Sequence, residues 1–224
     1  MQPEIIPEAL MNLHKPRKGG SALATLLNVV IQPPPAIRQA AIALSGELAM
    51  REKAHFVLDG KEFHPHVTLY KAHVPRSSVE KVLEQVVDLA DHPALLCRFG
   101  GIESGRGYIL VRLVRSGPLD MLHAQIISAV NPLRVPGARV RVTRDLTSAE
   151  EKNNALYGHP NVLDTFSPHM TIVRLHDVSA AAHIAEKLTW MVDSFLADTV
   201  AVYRMGDHGT CRVLIGAASL SAYE

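Results

Sequence analysis

Two short segments of the chain carry the same residues in the same order, and both contain groups that can transfer protons. His66-Val67-Thr68-Leu69 and His169-Met170-Thr171-Ile172 each read His-x-Thr-aliphatic, and a proline precedes each histidine. Histidine has an ordinary pKa of about 6.5, so it can act as an acid or a base near neutral pH. Threonine can donate a hydrogen bond to a phosphate oxygen. Two such pairs therefore contain what the cleavage of a phosphodiester needs: a base, an acid and donors for the non-bridging oxygens.

Each motif leads into a short apolar segment, which predicts a β-strand. In a strand, residues i and i+2 lie on one face about 7 Å apart, so each histidine shares a face with its threonine. The aliphatic residues between them point the opposite way, towards a core. We predict that His66 and His169 are catalytic and that Thr68 and Thr171 bind the phosphate.

The order of elements after each motif indicates an internal duplication. In both cases the pattern predicts a helix, a strand, a glycine-containing turn and another strand. Gly105 lies 39 positions after His66, and His208 lies 39 positions after His169. This order predicts a duplicated, two-lobe α+β fold, in which two antiparallel sheets carry helices on their outer faces and meet at a central cleft.

Hydrophobic periodicity and capping residues predict the elements around the motifs. An apolar run predicts a strand at residues 22–31, and aliphatic residues at helical spacing predict a helix from Ile37 to about Met50. Ser77-x-x-Glu80 and Thr147-x-x-Glu150 have the capping-box pattern, and Ser179 is predicted to cap a further helix. The remaining predicted elements are a helix from Pro118 and strands at residues 95–102, 108–114, 199–205 and 210–220.

Length and composition place limits on the class of protein. The 224 residues suffice for a buried core, and we predict a tail at residues 1–20 followed by one bilobal domain at residues 21–224. The motif lobes are predicted around residues 66–115 and 169–220. The formal net charge of +1 gives no global field that would attract nucleic acid or a membrane.

The sequence also predicts the environment and the assembly state of the protein. There is no apolar run of 18 residues of the kind that spans a membrane, and no signal-peptide pattern at the N-terminus. The two cysteines are far apart and do not suggest a disulfide framework. We therefore expect a cytoplasmic monomer with no membrane association and no obligate protein partner.

Other kinds of site fit the sequence less well. His64-x-His66 could supply two metal ligands, but no third ligand lies at a characteristic spacing, so we predict no metal and no other cofactor. There is no Gly-x-Ser-x-Gly motif for a serine nucleophile. Gly105 and Gly107 join two strands, whereas a dinucleotide-binding loop joins a strand to a helix.

Several residues near the predicted cleft have two possible roles each. Tyr70 has the same strand parity as His66, so it either stacks on a base or packs in the core. Arg112 and Arg115 face either a phosphate or solvent. The segment Tyr157–Pro160 either borders the cleft or packs away from it.

The two motifs resemble the signature of the two-histidine (2H) phosphoesterase superfamily, a pair of His-x-Thr/Ser-hydrophobic motifs on the halves of a duplicated α+β fold. The segment Tyr157–Val162 looks like that of bacterial members known as RNA 2',3'-cyclic phosphodiesterases or 2'-5' RNA ligases. The resemblance implies metal-independent opening of a 2',3'-cyclic phosphate to a 2'-phosphate, with a nucleotide or an RNA end as the partner. Two alternatives stay open: a nucleotide- or RNA-end-binding protein with little turnover, and a phosphodiesterase for a non-RNA cyclic phosphate.

Overall fold

The structure is a computed structural model that describes residues 24–89 and 91–222. The predicted tail at residues 1–20 lies outside the described residues. The described chain forms nine strands: β1 Ala24–Ile31, β2 Ala54–Val57, β3 Val67–Pro75, β4 Leu95–Gly105, β5 Tyr108–Leu113, β6 His169–Leu175, β7 Ser194–Ala197, β8 Thr199–Met205 and β9 Cys211–Ser219. Its five α-helices are α1 Pro35–Arg51, α2 Val79–Val87, α3 Gly117–Val130, α4 Ser148–Tyr157 and α5 Val178–Lys187. None of these helices is both long enough and apolar enough to cross a membrane.

The nine strands form a single antiparallel path instead of two separate sheets. Their order is β7-β4-β5-β6-β3-β1-β8-β9, with β2 paired to β6. The two motif strands, β3 and β6, are neighbours at the centre and pair through one bridge between Val67 and Met170. The α+β prediction is therefore confirmed, whereas the two predicted sheets are joined into one at this bridge.

Except for the short β7, which pairs with β4, the strands that follow each motif lie on the side of the other motif. β4 and β5 lie beside β6, while β8 and β9 lie on the β3 side. Between β3 and β8 lies β1, which precedes the first motif in the chain. Most of β1 is buried on both faces, as is usual for a strand in the interior of a sheet. The lobe ranges predicted from chain order, 66–115 and 169–220, therefore do not coincide with the two halves of the sheet.

The registers on the two sides of the central bridge match. Val30 lies opposite Thr68 in the same way that Leu110 lies opposite Thr171. The next cleft-facing pairs also correspond, with Asn28 opposite Lys71 and Tyr108 opposite Arg174. β1 and β5 therefore occupy equivalent positions beside the two motif strands. An approximate two-fold axis between β3 and β6 relates them.

Helices cover one face of each half of the sheet. α2 contacts β8 and β9, and α3 contacts β3, while α1 contacts β2 and β6 and α5 contacts β4, β5 and β6. The core lies between these helices and the sheet. The aliphatic motif residues belong to this core, as predicted, since Val67, Leu69, Met170 and Ile172 are all at most 1% exposed.

One predicted capping box is present and another is absent. Thr147 and Glu150 form the box that begins α4, and Gly158, at φ 71°, ends this helix. The box predicted at Ser77 does not form, because a 3₁₀ turn precedes α2 and its N-cap side chain makes no capping hydrogen bond. Asp177, and not Ser179, caps α5, since its carboxylate accepts from two backbone N–H groups at the positive end of the helix dipole.

Candidate active site

Both motifs line one cleft on the face of the sheet that the helices leave open. Its volume is about 1040 Å³, and His66, Thr68, His169 and Thr171 all contribute to its wall. The antiparallel bridge between β3 and β6 sets each histidine opposite the threonine of the other motif. Diagonal positions in such a pair lie about 7–8 Å apart, so both imidazoles are within reach of one small anion.

The orientation of each imidazole is set by the backbone two residues earlier. Nδ1 of His66 lies 2.8 Å from the carbonyl oxygen of His64, and Nδ1 of His169 lies 2.8 Å from that of Ser167. A carbonyl can only accept, so Nδ1 carries the proton in both rings. In the neutral ring Nε2 is then left with its lone pair, and after protonation it becomes a donor.

Burial makes both imidazoles weak bases in the free protein. Desolvation lowers the pKa of His66 to about 4, and the nearby charge of Lys71 acts in the same direction. The pKa of His169 is also lowered to about 4, again mainly by desolvation and further by Lys71 and Arg112. At neutral pH both rings are therefore neutral until an anion enters the cleft, because a negative charge beside them favours the protonated form.

The two threonines differ in their hydrogen bonding. Nδ2 of the fully buried Asn28 donates to Oγ1 of Thr68 at 3.0 Å. Because this oxygen is already an acceptor, the Thr68 hydroxyl proton is free to be donated into the cleft. The hydroxyl of Thr171 has no hydrogen-bond partner among the residues that the structure describes, so it is also available to a ligand.

A β-bulge in each motif strand brings a basic residue into the cleft. In β3 the register with β1 shifts between Thr68 and Tyr70, and in β6 the register with β5 shifts between Thr171 and Val173. The extra residue reverses the alternation of faces. Lys71 and Arg174, each five positions after its motif histidine, therefore line the cleft.

The bulge also decides between the two possible roles of Tyr70. Its side chain is 1% exposed, and its hydroxyl donates to the Tyr157 carbonyl oxygen at 2.6 Å and contacts Asn131 Oδ1 at 2.9 Å. Desolvation raises its pKa to about 12. Tyr70 is a packing residue, and the position facing the cleft belongs to Lys71.

The two bulge cations have different surroundings. Arg174 Nη1 lies 2.6 Å from Nδ1 of His208, and its guanidinium lies over the ring of Tyr108 at 4.8 Å. Lys71, by contrast, makes no hydrogen bond and no ion pair with any residue in the described ranges. One cation is thus held by neighbours, and the other is free to bind a ligand.

The outer walls of the cleft come from segments far apart in the chain. The β4–β5 hairpin tip and the irregular segment 140–144 face each other, and Arg106 Nη1 contacts Thr143 Oγ1 at 3.4 Å. The turn 206–209 completes the wall, so both turns of the predicted repeat reach the cleft. The lining includes two acidic residues, Glu103 and Asp207, and six basic ones, Lys71, Arg106, Arg112, Arg141, Arg144 and Arg174.

The structure also places the other residues that had two possible roles. Arg112 lines the cleft, where it donates to Ser167 Oγ and lies 3.4 Å from Glu103. Arg115 pairs with Asp120 at 3.0 Å and takes no part in the lining.

His159 is a third cleft histidine. It is 8% exposed, and desolvation lowers its pKa to about 3, with the charge of Lys71 acting in the same direction. Its Nδ1 accepts from the Asn161 backbone N–H at 3.2 Å. His159 and Pro160 both line the cleft, so this end of the segment Tyr157–Pro160 borders it.

Sequence reasoning did not identify Asn28, Lys71 or Arg174 as part of the site, and it included His159 only in a segment with two possible roles. For the two cations a signal was present, because each follows its motif histidine by five positions. In a regular strand, a residue five positions after the histidine lies on the opposite face. Only the bulge brings it to the same face as the histidine. Asn28 and His159 have no comparable signal, since they come from a neighbouring strand and from a loop.

The metal interpretation of His64 and His66 finds no third ligand. Within residues 24–89 and 91–222, no three His, Cys, Asp or Glu side chains come together in a way that could hold a metal ion. The ring of His64 packs against Tyr203, with ring centroids 5.0 Å apart. The two cysteines are both buried and free.

Comparisons with known proteins bear on the family and the fold of this chain. Residues 33–209 match a family model described as "2'-5' RNA ligase superfamily". Comparison with curated proteins gives no match. Among solved structures, TT0787 of Thermus thermophilus is similar with a TM-score of 0.53 at 17% identity, covering 89% of this chain and 100% of its own. E. coli LigT in apo form gives a TM-score of 0.51 at 13% identity, covering 89% and 99%. At these identities the similarity to solved structures shows the fold alone.

Proposed function

The chain belongs to the 2'-5' RNA ligase superfamily, among the two-histidine phosphoesterases that its motifs resemble, and on this basis we propose that it opens 2',3'-cyclic phosphates. The substrate is a nucleotide or an RNA end, and the product is a 2'-phosphate. One observation carries the proposal: two imidazoles with the same backbone-held orientation line one cleft, each with a threonine beside it.

The groups in the cleft can carry out the reaction with every proton accounted for. Water attacks phosphorus and gives a proton to one imidazole, while the P–O3' bond breaks and O3' takes a proton from the other. The products are a 2'-phosphomonoester and a free 3'-hydroxyl. Each proton transfer contributes roughly 10²–10⁴-fold to such a reaction. Thr68 and Thr171 donate to the non-bridging oxygens, where negative charge accumulates.

Because both rings are weak bases, the site takes up the catalytic proton only when the substrate is bound. Burial lowers the pKa of both His66 and His169 to about 4, so the free site holds no proton near pH 7. A cyclic phosphate brings one negative charge, which raises the pKa of the rings beside it. One ring is then protonated as the acid while the other stays neutral as the base.

The proposal is tested by a substrate panel with EDTA present throughout. The panel contains adenosine 2',3'-cyclic phosphate, a short RNA with a 2',3'-cyclic end, adenosine 3',5'-cyclic phosphate and a small cyclic phosphate without a base. E. coli LigT, whose fold is similar, has been solved with 3'-AMP, which supports including nucleotides. We expect 2'-phosphate products from the first two compounds, at rates that EDTA does not change.

Each other outcome points to a different function. Binding of the first two compounds without turnover would support a nucleotide- or RNA-end-binding protein. Turnover of the compound without a base alone would support a phosphodiesterase for another metabolite. Activity that EDTA abolishes and zinc or manganese restores would contradict the metal-independent mechanism.

A further inference from the structure

We propose that Lys71 is a further catalytic residue, which contacts the phosphate opposite Arg174 and makes the site complementary to two negative charges. This inference rests on the proposed function. The bulges in β3 and β6 place Lys71 and Arg174 at equivalent positions about the approximate two-fold axis. Each half of the fold thereby supplies a histidine, a threonine and a cation to one cleft.

The amino group of Lys71 makes no hydrogen bond or ion pair with the described residues. Burial lowers the pKa of Lys71, and a phosphate bound beside it would raise that pKa and favour the ammonium form. The turn that contains Gly209 comes so close that a Cβ on this glycine would lie 3.6 Å from Lys71 Nζ. Asn28, which orients Thr68, is the cross-strand neighbour of Lys71. Lys71 thus lies beside the phosphate donor of its own motif.

Its position is also central with respect to the imidazoles. The charge of Lys71 lowers the pKa of His66, His169 and His159, so the ammonium group acts on three of the four histidines that line the cleft. An anion held between His66 and His169 would therefore lie within the field of Lys71. No other lysine is part of the cleft lining among the described residues.

The reacting phosphate becomes more negative during the reaction, and two nearby cations stabilise the more negative state. A cyclic phosphodiester carries one negative charge. When water adds and its proton passes to an imidazole, the phosphoryl group carries two, and the 2'-phosphomonoester product also carries up to two. Lys71 and Arg174 together match the second state better than the first, which is what lowers a reaction barrier.

The test replaces Lys71 by methionine, which keeps the length of the side chain and removes its charge. With adenosine 2',3'-cyclic phosphate, we expect Lys71→Met to lower kcat about 10²–10³-fold, with a change in KM of less than about 10-fold. Calorimetry should show weaker binding of adenosine 2'-monophosphate and of inorganic phosphate. Lys81→Met, on the exposed face of α2, is the matched control and should behave as wild type.

A pH profile separates this role from a merely structural one. Lys71 lowers the pKa of both motif histidines, so its removal should raise their pKa. The acidic limb of the kcat/KM profile should then move to higher pH in Lys71→Met. Lys81→Met should not move it.

Chemical rescue provides a second variant. Lys71→Cys treated with 2-bromoethylamine regains an ammonium group at the same place, and turnover should return. The native cysteines, Cys97 and Cys211, are buried, and treated wild type controls for their modification. Circular dichroism checks that each variant is folded.

The inference and the proposed function fail in different ways. Turnover within threefold of wild type and an unmoved pH profile in folded Lys71→Met would overturn the role of Lys71 while the proposed function stands. If wild type turns over no cyclic phosphate, the proposed function fails. In that case the affinity for inorganic phosphate tests whether Lys71 binds the phosphate. Equal affinities in wild type and Lys71→Met would overturn the inference.

Discussion

At the scale of single residues, proline explains why the two imidazoles are held alike. Pro65 and Pro168 each stand between the histidine and the carbonyl that receives its Nδ1 proton. A residue before proline is confined to extended conformations, so the direction of that carbonyl is fixed in both motifs. The proline thus restricts the carbonyl that holds Nδ1, which leaves Nε2 as the other ring nitrogen in both motifs.

The two threonine hydroxyls are expected to act as donors to the phosphate. Thr68→Val and Thr171→Val should each lower kcat/KM by roughly 10-fold to 10³-fold, because each removes one donor to the developing charge. Thr68→Val should also reduce stability, since it removes the acceptor of the buried Asn28 amide. Steady-state kinetics and urea denaturation measure the two effects.

Serine variants provide the control for this prediction. Thr68→Ser and Thr171→Ser keep the hydroxyl and should retain most of the activity. Valine variants as active as the serine variants would show that the hydroxyls do not bind the reacting phosphate.

The positions of individual side chains followed from the sequence up to the point where the strands stop alternating. His66 and Thr68 come before the bulge, so period-two alternation placed them correctly in the cleft wall. Tyr70 comes after it, and here the same rule was wrong. No glycine or proline marks the bulge in either strand, so simple alternation offered no reason to move Lys71 to the cleft.

At the scale of elements, helix α3 secures the bulge of β3 through one histidine. His123 Nδ1 lies 2.7 Å from the carbonyl oxygen of Leu69, the extra residue of the bulge, and donates to it. Its Nε2 accepts from the Leu163 backbone N–H at 2.8 Å, and its ring stacks on Phe166 at 3.7 Å. Desolvation lowers its pKa to about 4, which keeps the ring neutral, as this pair of hydrogen bonds requires.

Replacing this histidine should disturb both the fold and the site. We expect His123→Ala to reduce the free energy of unfolding by about 2–4 kcal/mol, because two buried backbone groups lose their partner. It should also reduce turnover, since the bulge that directs Lys71 is no longer held. Urea denaturation and kinetics test this, with the exposed His183→Ala on α5 as the control. Wild-type stability in His123→Ala would contradict the bracing role.

The elements themselves were largely predictable, but their partners in the sheet were not. The second motif strand was predicted to begin at His169 and does so, and the Thr147 capping box is present. Those signals are local. The pairing of β5 with β6 and of β1 with β3 joins segments far apart in sequence, and the short strands β2 and β7 have no clear pattern of their own.

At the scale of the whole molecule, the fold gathers basic side chains in the cleft although the net charge of the chain is close to zero. The net charge is only +1, yet six basic and two acidic side chains line the cleft. Local fields of this kind attract anions regardless of net charge. The absence of a global basic field therefore does not argue against a phosphate-containing substrate. The single domain at residues 21–224, the monomeric state and the cytoplasmic location stay predictions.

The fold brings together the two histidines on which the proposed mechanism depends. β3 supplies His66 and β6 supplies His169, and the two strands meet at one bridge. If one ring is the base and the other the acid, the pair must hold a single proton. Activity should then fall at both pH extremes, with apparent pKa values that belong to the coupled pair.

The most direct test of the central claim compares His66→Ala, His169→Ala and the double variant on adenosine 2',3'-cyclic phosphate. Each single variant should lose about 10²-fold or more in turnover, because each lacks one proton transfer. The double variant should lose far less than the product of the two single losses, since the two groups act as a unit. His183→Ala and circular dichroism serve as controls for substitution and folding. Near wild-type turnover in either folded single variant would contradict the paired-histidine mechanism.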